Sequence, residues 1–208
     1  MIDLVLFDLD GVLVDACEWH YEALNEALRL VCDTEISREE HLSKFNGLTT
    51  RNKLNILGID GDRAEKVFEI KQNITKKTIS ANSEPLLDKI NLHTHLKNSG
   101  VKICCVTNCI RETAELMLKV TGQLEYMDMI ITNEDVVRNK PFPDCYNLAL
   151  DKFASTSKCP LIVEDSQTGI LAARASGVKN IWEVENSSFV NIENYKRYLD
   201  ENINTNGG

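Results

Sequence analysis

Five short apolar runs punctuate the chain, and each gives way to polar residues. Leu4 to Phe7 leads into Asp8, Asp10 and Gly11, and Val101 to Val106, Met129 to Thr132, Leu161 to Val163 and Asn180 to Val184 follow the same plan. Short apolar runs that stop at acids, glycine or asparagine read as buried strands running into loops. A helix-length segment separates each run from the next. After Asn108, residues Ala114, Met117, Leu118 and Val120 make an apolar stripe that Gly122 ends. Pro143 suits a first helical position ahead of Tyr146, Leu150 and Phe153. Ser166 can cap a helix that passes Ile170, Ala173 and Ala175 and stops at Gly177. Strands alternating with helices predict an α/β fold, a parallel sheet covered on both faces.

Residues 16–82 break that alternation, because nothing in them reads as a strand. Leu24, Leu28 and Val31 share one helical face, and Ser37 to Glu40 fits a capping box. Gly47 and Gly58 bracket a short helical piece, and Val67, Ile70 and Ile74 continue the helical pattern. The expected organisation is an all-helical insert, 16–82, in an α/β core formed by 1–15 and 83–208. An insert of about 65 residues is marginal alone and is expected to pack on the sheet. The polar tail, Asn202 to Gly208, is expected to fray.

Composition narrows the partners. The net charge is −9 without any Lys/Arg stripe, which argues against nucleic acid and against an anionic membrane. No apolar run approaches the roughly 18 residues that span a bilayer. The first residues interleave acids with apolar side chains and lack a basic leader, so no signal peptide is expected. Seven cysteines, an odd number without a CxxC pair, read as reduced thiols of a cytoplasmic protein. Cys104 and Cys105 behave as small core hydrophobes, and Cys109 is read as packing too. His93 and His95 lie two apart on a helix, face different ways and are read as surface residues.

Four polar clusters fall at strand ends: Asp8-Leu-Asp10-Gly11, Thr107-Asn108, Lys140-Pro141 and Glu164-Asp165-Ser166. Ligands of an open parallel sheet bind outside the carboxyl ends of its strands, so these clusters are expected to converge. Asp8 and Asp10, two apart on extended chain, project to the same side. With Glu164 and Asp165 they gather four carboxylates, which costs several kcal/mol unless a cation neutralises them. A hard, oxygen-liking ion, Mg2+, fits such ligands. Lys140 can balance both the acids and a substrate phosphate. Thr107 supplies a hydroxyl, and the helix start after it offers N–H groups to phosphate oxygens.

Asp8-Leu-Asp-Gly-Val-Leu-Val-Asp15, Val106-Thr-Asn108, Lys140-Pro-Phe-Pro-Asp144 and Glu164-Asp-Ser-Gln-Thr-Gly-Ile-Leu-Ala-Ala173 resemble the four motifs of the haloacid dehalogenase (HAD) superfamily. The helical insert resembles the cap of its phosphoglycolate phosphatase-like and β-phosphoglucomutase-like members. The resemblance implies a Rossmann-like core with an inserted helical cap. It implies Asp8 as the nucleophile that becomes an aspartyl-phosphate, and Asp10 as its acid and base. Thr107, Asn108 and Lys140 would hold the phosphoryl group. Mg2+ would sit on Asp8, the backbone carbonyl of Asp10, and Asp165, with Glu164 as a direct or water-mediated ligand. The superfamily's dehalogenases lack the second aspartate of the first motif, so dehalogenation is not expected here.

Cap residues are expected to choose the substrate, and His20, Arg51 and Lys71 are the candidates. His20 can equally be a solvated helix histidine, and Arg51 and Lys71 are more often surface charges. The expected activity is hydrolysis of a small phosphorylated metabolite, a sugar phosphate or phosphoglycolate-like monoester, by a monomer or weak homodimer. The alternatives are a sugar phosphomutase and, from another class, a phospho-accepting signalling module.

Overall fold

A computed structural model describes residues 1–202; the tail expected to fray lies, apart from Asn202, outside them. In chain order the elements are β1 (Leu4–Phe7), α1 (Cys17–Cys32), α2 (Arg38–Glu40), α3 (Thr50–Ile56), α4 (Gly61–Asn82), α5 (Leu87–Asn98), β2 (Lys102–Val106), α6 (Arg111–Val120), β3 (Met129–Ile131), α7 (Asp144–Phe153), β4 (Pro160–Glu164), α8 (Gln167–Ala175), β5 (Asn180–Glu183) and α9 (Ile192–Asn202). Helix α2 is one turn that widens into a π-type turn, His41–Phe45.

The five strands form one parallel sheet in the order β3-β2-β1-β4-β5. β1 is therefore central, between β2 and β4, and its carboxyl end meets theirs. Alternate residues face opposite layers, as the period of a strand requires. Val5, Phe7, Ile103, Cys105, Leu161 and Val163 pack against Leu92 and Leu96 of α5, Ala114 and Met117 of α6, and Tyr195 of α9. Leu4, Leu6, Cys104, Val106 and Ile162 pack on the other side against Tyr146 and Ala149 of α7 and Ala172 and Ala173 of α8. A third apolar cluster, including Leu24, Leu28, Phe45, Leu54 and Val67, lies within α1–α4 and their loops.

Caps stop and start the helices where the sequence calls for them. The hydroxyl of Ser37 accepts from the Glu40 N–H at 3.1 Å, and that of Ser166 from the Gly169 N–H at 3.0 Å. Thr49 does the same for α3, accepting from the Asn52 N–H at 3.2 Å. Each satisfies an amide that the first helical turn leaves without a carbonyl. Pro143 stands just before α7 and not inside it.

One expectation is overturned. His93 is not a surface residue: it is fully buried, its Nε2 lies 2.9 Å from Gln123 Oε1, and its ring meets Phe7 edge-on. The two histidines do face different ways, but the inward side of α5 rests on the sheet. Burial and the lysines nearby pull the His93 imidazole down to about 4, which keeps it neutral inside the core.

Candidate active site

The carboxyl ends of β1, β2 and β4 bring together residues that lie far apart in the chain. Lys140 is the hub. Its Nζ donates to Asp8 Oδ1 at 2.7 Å, to Glu164 Oε1 at 2.6 Å and to the Val106 carbonyl at 2.7 Å. All three acceptors sit at strand ends, and the lysine is almost fully buried among them. The loop carrying it is clipped by Asn108, whose Oδ1 accepts from the Lys140 N–H at 3.1 Å while its Nδ2 donates to the Lys140 carbonyl. Nδ2 also donates to the carbonyl of Gly47 at 2.7 Å, and Thr168 donates to that of Asn46 at 3.2 Å. These two bonds latch the loop before α3 onto the sheet's rim. The Asn108 side chain is thus spent on backbone groups, and its carbonyl accepts from Asn133 Nδ2 at 3.0 Å.

The acids are held at an electrostatic cost. Asp8, Glu164 and Asp165 each offer an oxygen within 4.8 Å of the others. Burial and the neighbouring Glu164 push the Asp8 carboxyl well above its usual range, and Lys140 only partly offsets them. Burial, then Glu164 and Asp10, raise Asp165 to about 7. Glu164 is fully buried; its Oε1 also accepts from the Tyr146 hydroxyl. Its Oε2, like Oδ1 of Asp165, is buried and has no hydrogen-bond partner among the described residues. Such oxygens are expensive to bury unless something positive answers them.

Two glycines make room for these oxygens. A Cβ on Gly11, already at φ +85°, would stand 2.1 Å from Asp165 Oδ2. A Cβ on Gly169 would stand 2.0 Å from Glu164 Oε2. The unpaired oxygens, the all-oxygen donor set and the glycine cradle together fit a hard divalent cation.

Asp10 lines the same cavity in a different setting. His20 Nε2 is 3.0 Å from its Oδ1, and the Cys109 thiol donates to its Oδ2 at 2.9 Å. Lys71 Nζ lies 3.0 Å from His20 Nδ1. An ammonium only donates, so Nδ1 accepts and the ring proton is on Nε2, directed at Asp10. Burial works against ionisation of Asp10, but His20, Cys109 and Lys71 outweigh it and draw the carboxyl down to about 2. Burial and Lys71 together keep His20 below its usual value.

The cavity measures about 570 Å³. Asp8, Asp10, Thr107 and Lys140 line one side; His20, His41, Lys53, Lys71 and Gln72 line the side formed by α1–α4. Thr107 is buried, and its hydroxyl accepts from the Cys109 N–H at 3.0 Å. Helix α6 begins at Arg111, four residues beyond Thr107, and its first N–H is taken by Glu134 at 2.6 Å. The helix N-terminus expected directly after Thr107 is therefore displaced. Lys71 is no surface charge, being only 6% exposed. Arg51 is at the rim, paired with Glu65 at 2.6 Å and lying over the Phe68 ring.

Three neighbours of the site escaped the sequence reading. Cys109 is not simply packing, since its thiol touches Asp10. Tyr146 passed for an apolar helix position, yet its hydroxyl reaches Glu164. Lys53 is buried on the cavity wall, makes no ion pair among the described residues, and is lowered to about 8 by burial and by Lys71. Nothing in the spacing of α3 marks Lys53. Only the docking of α3 against α4 turns it inward.

Comparison with known proteins agrees with this geometry. Residues 5–183 match the family model of the haloacid dehalogenase-like hydrolases. The chain is 30% identical over 181 residues to the pyrophosphatase PpaX of Bacillus pumilus, covering 86% of this chain and 81% of that one. It is 25% identical over 191 residues to the phosphorylated carbohydrates phosphatase of Thermotoga maritima, covering 89% and 87%. In fold it is similar to the β-phosphoglucomutase of Clostridium difficile, with a TM-score of 0.82, 19% identity, and coverage of 98% and 99%. The phospho-accepting signalling module is thereby excluded, and the chain belongs to the haloacid dehalogenase-like hydrolases.

Proposed function

We propose that the protein is a magnesium-dependent phosphatase of small phosphorylated metabolites, working through an aspartyl-phosphate on Asp8. One observation carries the reading. Asp8, Glu164 and Lys140 are buried together at the end of the central strand with Asp165 half-buried beside them, two of the carboxylate oxygens have no hydrogen-bond partner among the described residues, and Asp10 lines the same cavity. Asp8, Asp165, Glu164 and the backbone carbonyl of Asp10 would hold Mg2+, which supplies charge for the phosphoryl oxygens in the transition state. With that charge present, Asp8 is ionised and nucleophilic. Lys140 and Thr107 hold the phosphoryl group on its other side.

The chemistry then divides between two aspartates. Asp8 Oδ attacks phosphorus as the bond to the leaving oxygen breaks, and that oxygen takes a proton by way of Asp10. Asp10 rests ionised, so it must first collect that proton: His20 Nε2–H stands 3.0 Å from it, and Lys71 Nζ replaces the ring proton at Nδ1. The proton that Asp10 later takes from water runs back along the same relay. In the second half Asp10 takes a proton from water as the water attacks the aspartyl-phosphate. Phosphate leaves, and Asp8 is restored. Residues 16–82 serve as a cap over the core of 1–15 and 83–208, excluding bulk water while the loop at Gly47 is latched.

The cap wall bears on the substrate. Lys71 and Lys53 give it a cationic face and His20 adds a neutral donor, so the end of the substrate away from the reacting phosphate is polar or anionic. Sugar phosphates and phosphoglycolate meet that description. A second reading, inorganic pyrophosphate, is favoured by Lys53, a buried cation that makes no ion pair among the described residues. The test is a panel of these compounds with Mg2+, with phosphate release as the readout. Asp8→Asn should abolish turnover, and beryllium fluoride should bind the wild type and not this variant. Appreciable steady-state hydrolysis by Asp8→Asn would sink the proposal. Isomerisation of β-glucose 1-phosphate without phosphate release would make it a mutase instead.

A further inference from the structure

We propose that Asp10, His20 and Cys109 form a second metal site, for a borderline or soft divalent ion of the zinc class, separate from the carboxylate site. His20 Nε2 stands 3.0 Å from Asp10 Oδ1, Cys109 Sγ 2.9 Å from Asp10 Oδ2, and Cys109 Sγ 3.5 Å from His20 Nε2. A tetrahedral ion with bonds of about 2.3 Å to sulfur and about 2.0 Å to nitrogen and oxygen needs donors roughly 3.3–3.6 Å apart. The His20–Cys109 pair already stands at that spacing, and Asp10, which meets the two through different oxygens at 3.0 and 2.9 Å, needs only a turn of its carboxylate to offer one oxygen to both. The three residues converge from three elements: the loop after β1, helix α1, and the loop before α6.

The chemistry of the donors separates the two sites. Asp8, Glu164 and Asp165 offer oxygen alone, which suits magnesium; Asp10, His20 and Cys109 offer oxygen, nitrogen and sulfur, which suits zinc. Lys71, 3.0 Å from His20 Nδ1, orients the ring so that Nε2 faces the other two donors. Binding balances as an exchange of two protons for the ion. The thiol gives up its proton as sulfur bonds the metal. Nε2 gives up the ring proton, Nδ1 takes one from Lys71, and the neutral amine then accepts from Nδ1–H. Ionised Asp10 and the thiolate leave the occupied site neutral. The fourth coordination position opens to the cavity, which Asp10, His20 and Cys109 all line.

Occupancy has a consequence that rests on the proposed phosphatase reading. The ion holds the Asp10 carboxylate and ties α1 to the sheet loops, so it inhibits turnover without displacing magnesium.

Cobalt is the probe. The full-length protein, reduced with a non-thiol reagent and saturated with Mg2+, is titrated with Co2+ and followed by absorption. One equivalent should produce a thiolate-to-cobalt charge-transfer band in the near ultraviolet, with visible bands of tetrahedral strength. One equivalent of Zn2+ should bleach both. The band should persist in Asp165→Asn and in Cys17→Ser, and vanish in Cys109→Ser and Cys109→Ala, with circular dichroism confirming that each variant folds. Zn2+ should inhibit phosphate release by the wild type, and Cys109→Ser should weaken that inhibition by about tenfold or more. Absence of the thiolate band, its survival in both Cys109 variants, its loss in Cys17→Ser, or its suppression by Mg2+ would each overturn the site. A protein that shows the band but hydrolyses nothing keeps this site and loses the phosphatase reading.

Discussion

Asp165→Asn separates the cost of the acid cluster from its use. A free carboxyl titrates at 3.8, and in the folded protein Asp165 is raised to about 7 by burial, Glu164 and Asp10. A carboxyl raised on folding favours the native state below its unfolded value and loses that contribution as pH climbs through the folded one. Metal-free protein should therefore weaken between about pH 4 and pH 8. At 1.36 kcal/mol for each tenfold, the ionised side chain costs at most about 4 kcal/mol at pH 8. Asp165 is only half-buried, and solvent screening brings the usable figure to about 1–3 kcal/mol. Asparagine keeps the shape and removes the charge. For a chain of this size 1 kcal/mol moves Tm by about 2–4 °C. Thermal unfolding in EDTA should show the variant about 2–10 °C above wild type at pH 8 and above it by only about a third of that margin at pH 5. Saturating Mg2+ should reverse the order, because ligand at a hundred times its Kd adds about 2.7 kcal/mol to a wild type that binds it fully. The variant should also need more Mg2+ for turnover. An equal gain at pH 5 and pH 8, or none at either, would refute the reasoning.

Other perturbations probe the remaining groups. Asp10→Asn should cost on the order of 10²–10⁴ in transfer to Asp8 for alkyl phosphates and clearly less for p-nitrophenyl phosphate, whose leaving group needs little protonation; burst kinetics with equal losses would remove Asp10 as the acid. Gly169→Ala gains about 1 kcal/mol of helix propensity but drives a Cβ to 2.0 Å from Glu164 Oε2, so a net loss of about 1–3 kcal/mol and a raised Mg2+ requirement are expected in melts and titrations. Lys53→Met should raise Tm at pH 7, since it removes a buried ammonium lowered to about 8, yet reduce kcat/KM for pyrophosphate far more than for p-nitrophenyl phosphate. Equal losses on both substrates would assign Lys53 to folding rather than to recognition.

The sequence by itself determined the layers and the rim. Strand runs are marked by their apolar period, and the acids and threonine that follow them must emerge at the sheet's carboxyl edge, because a parallel sheet points all its strands one way. Lys140, nine residues past the end of β3, is instead brought back to that edge by the loop that Asn108 clips. Caps at Ser37 and Ser166 were legible because a helix's first amides need an acceptor within three residues, a purely local demand. The tertiary structure alone decided which of those groups touch. Lys140 reaches Asp8 across 132 positions only because β1 lies between β2 and β4. His93, Lys53 and Lys71 are buried and Arg51 exposed through the way α3, α4 and α5 dock, which helical spacing leaves open. Cys109 meets Asp10 and His20 for the same reason: local periodicity says which residues share a face, and only packing between distant segments says what that face meets.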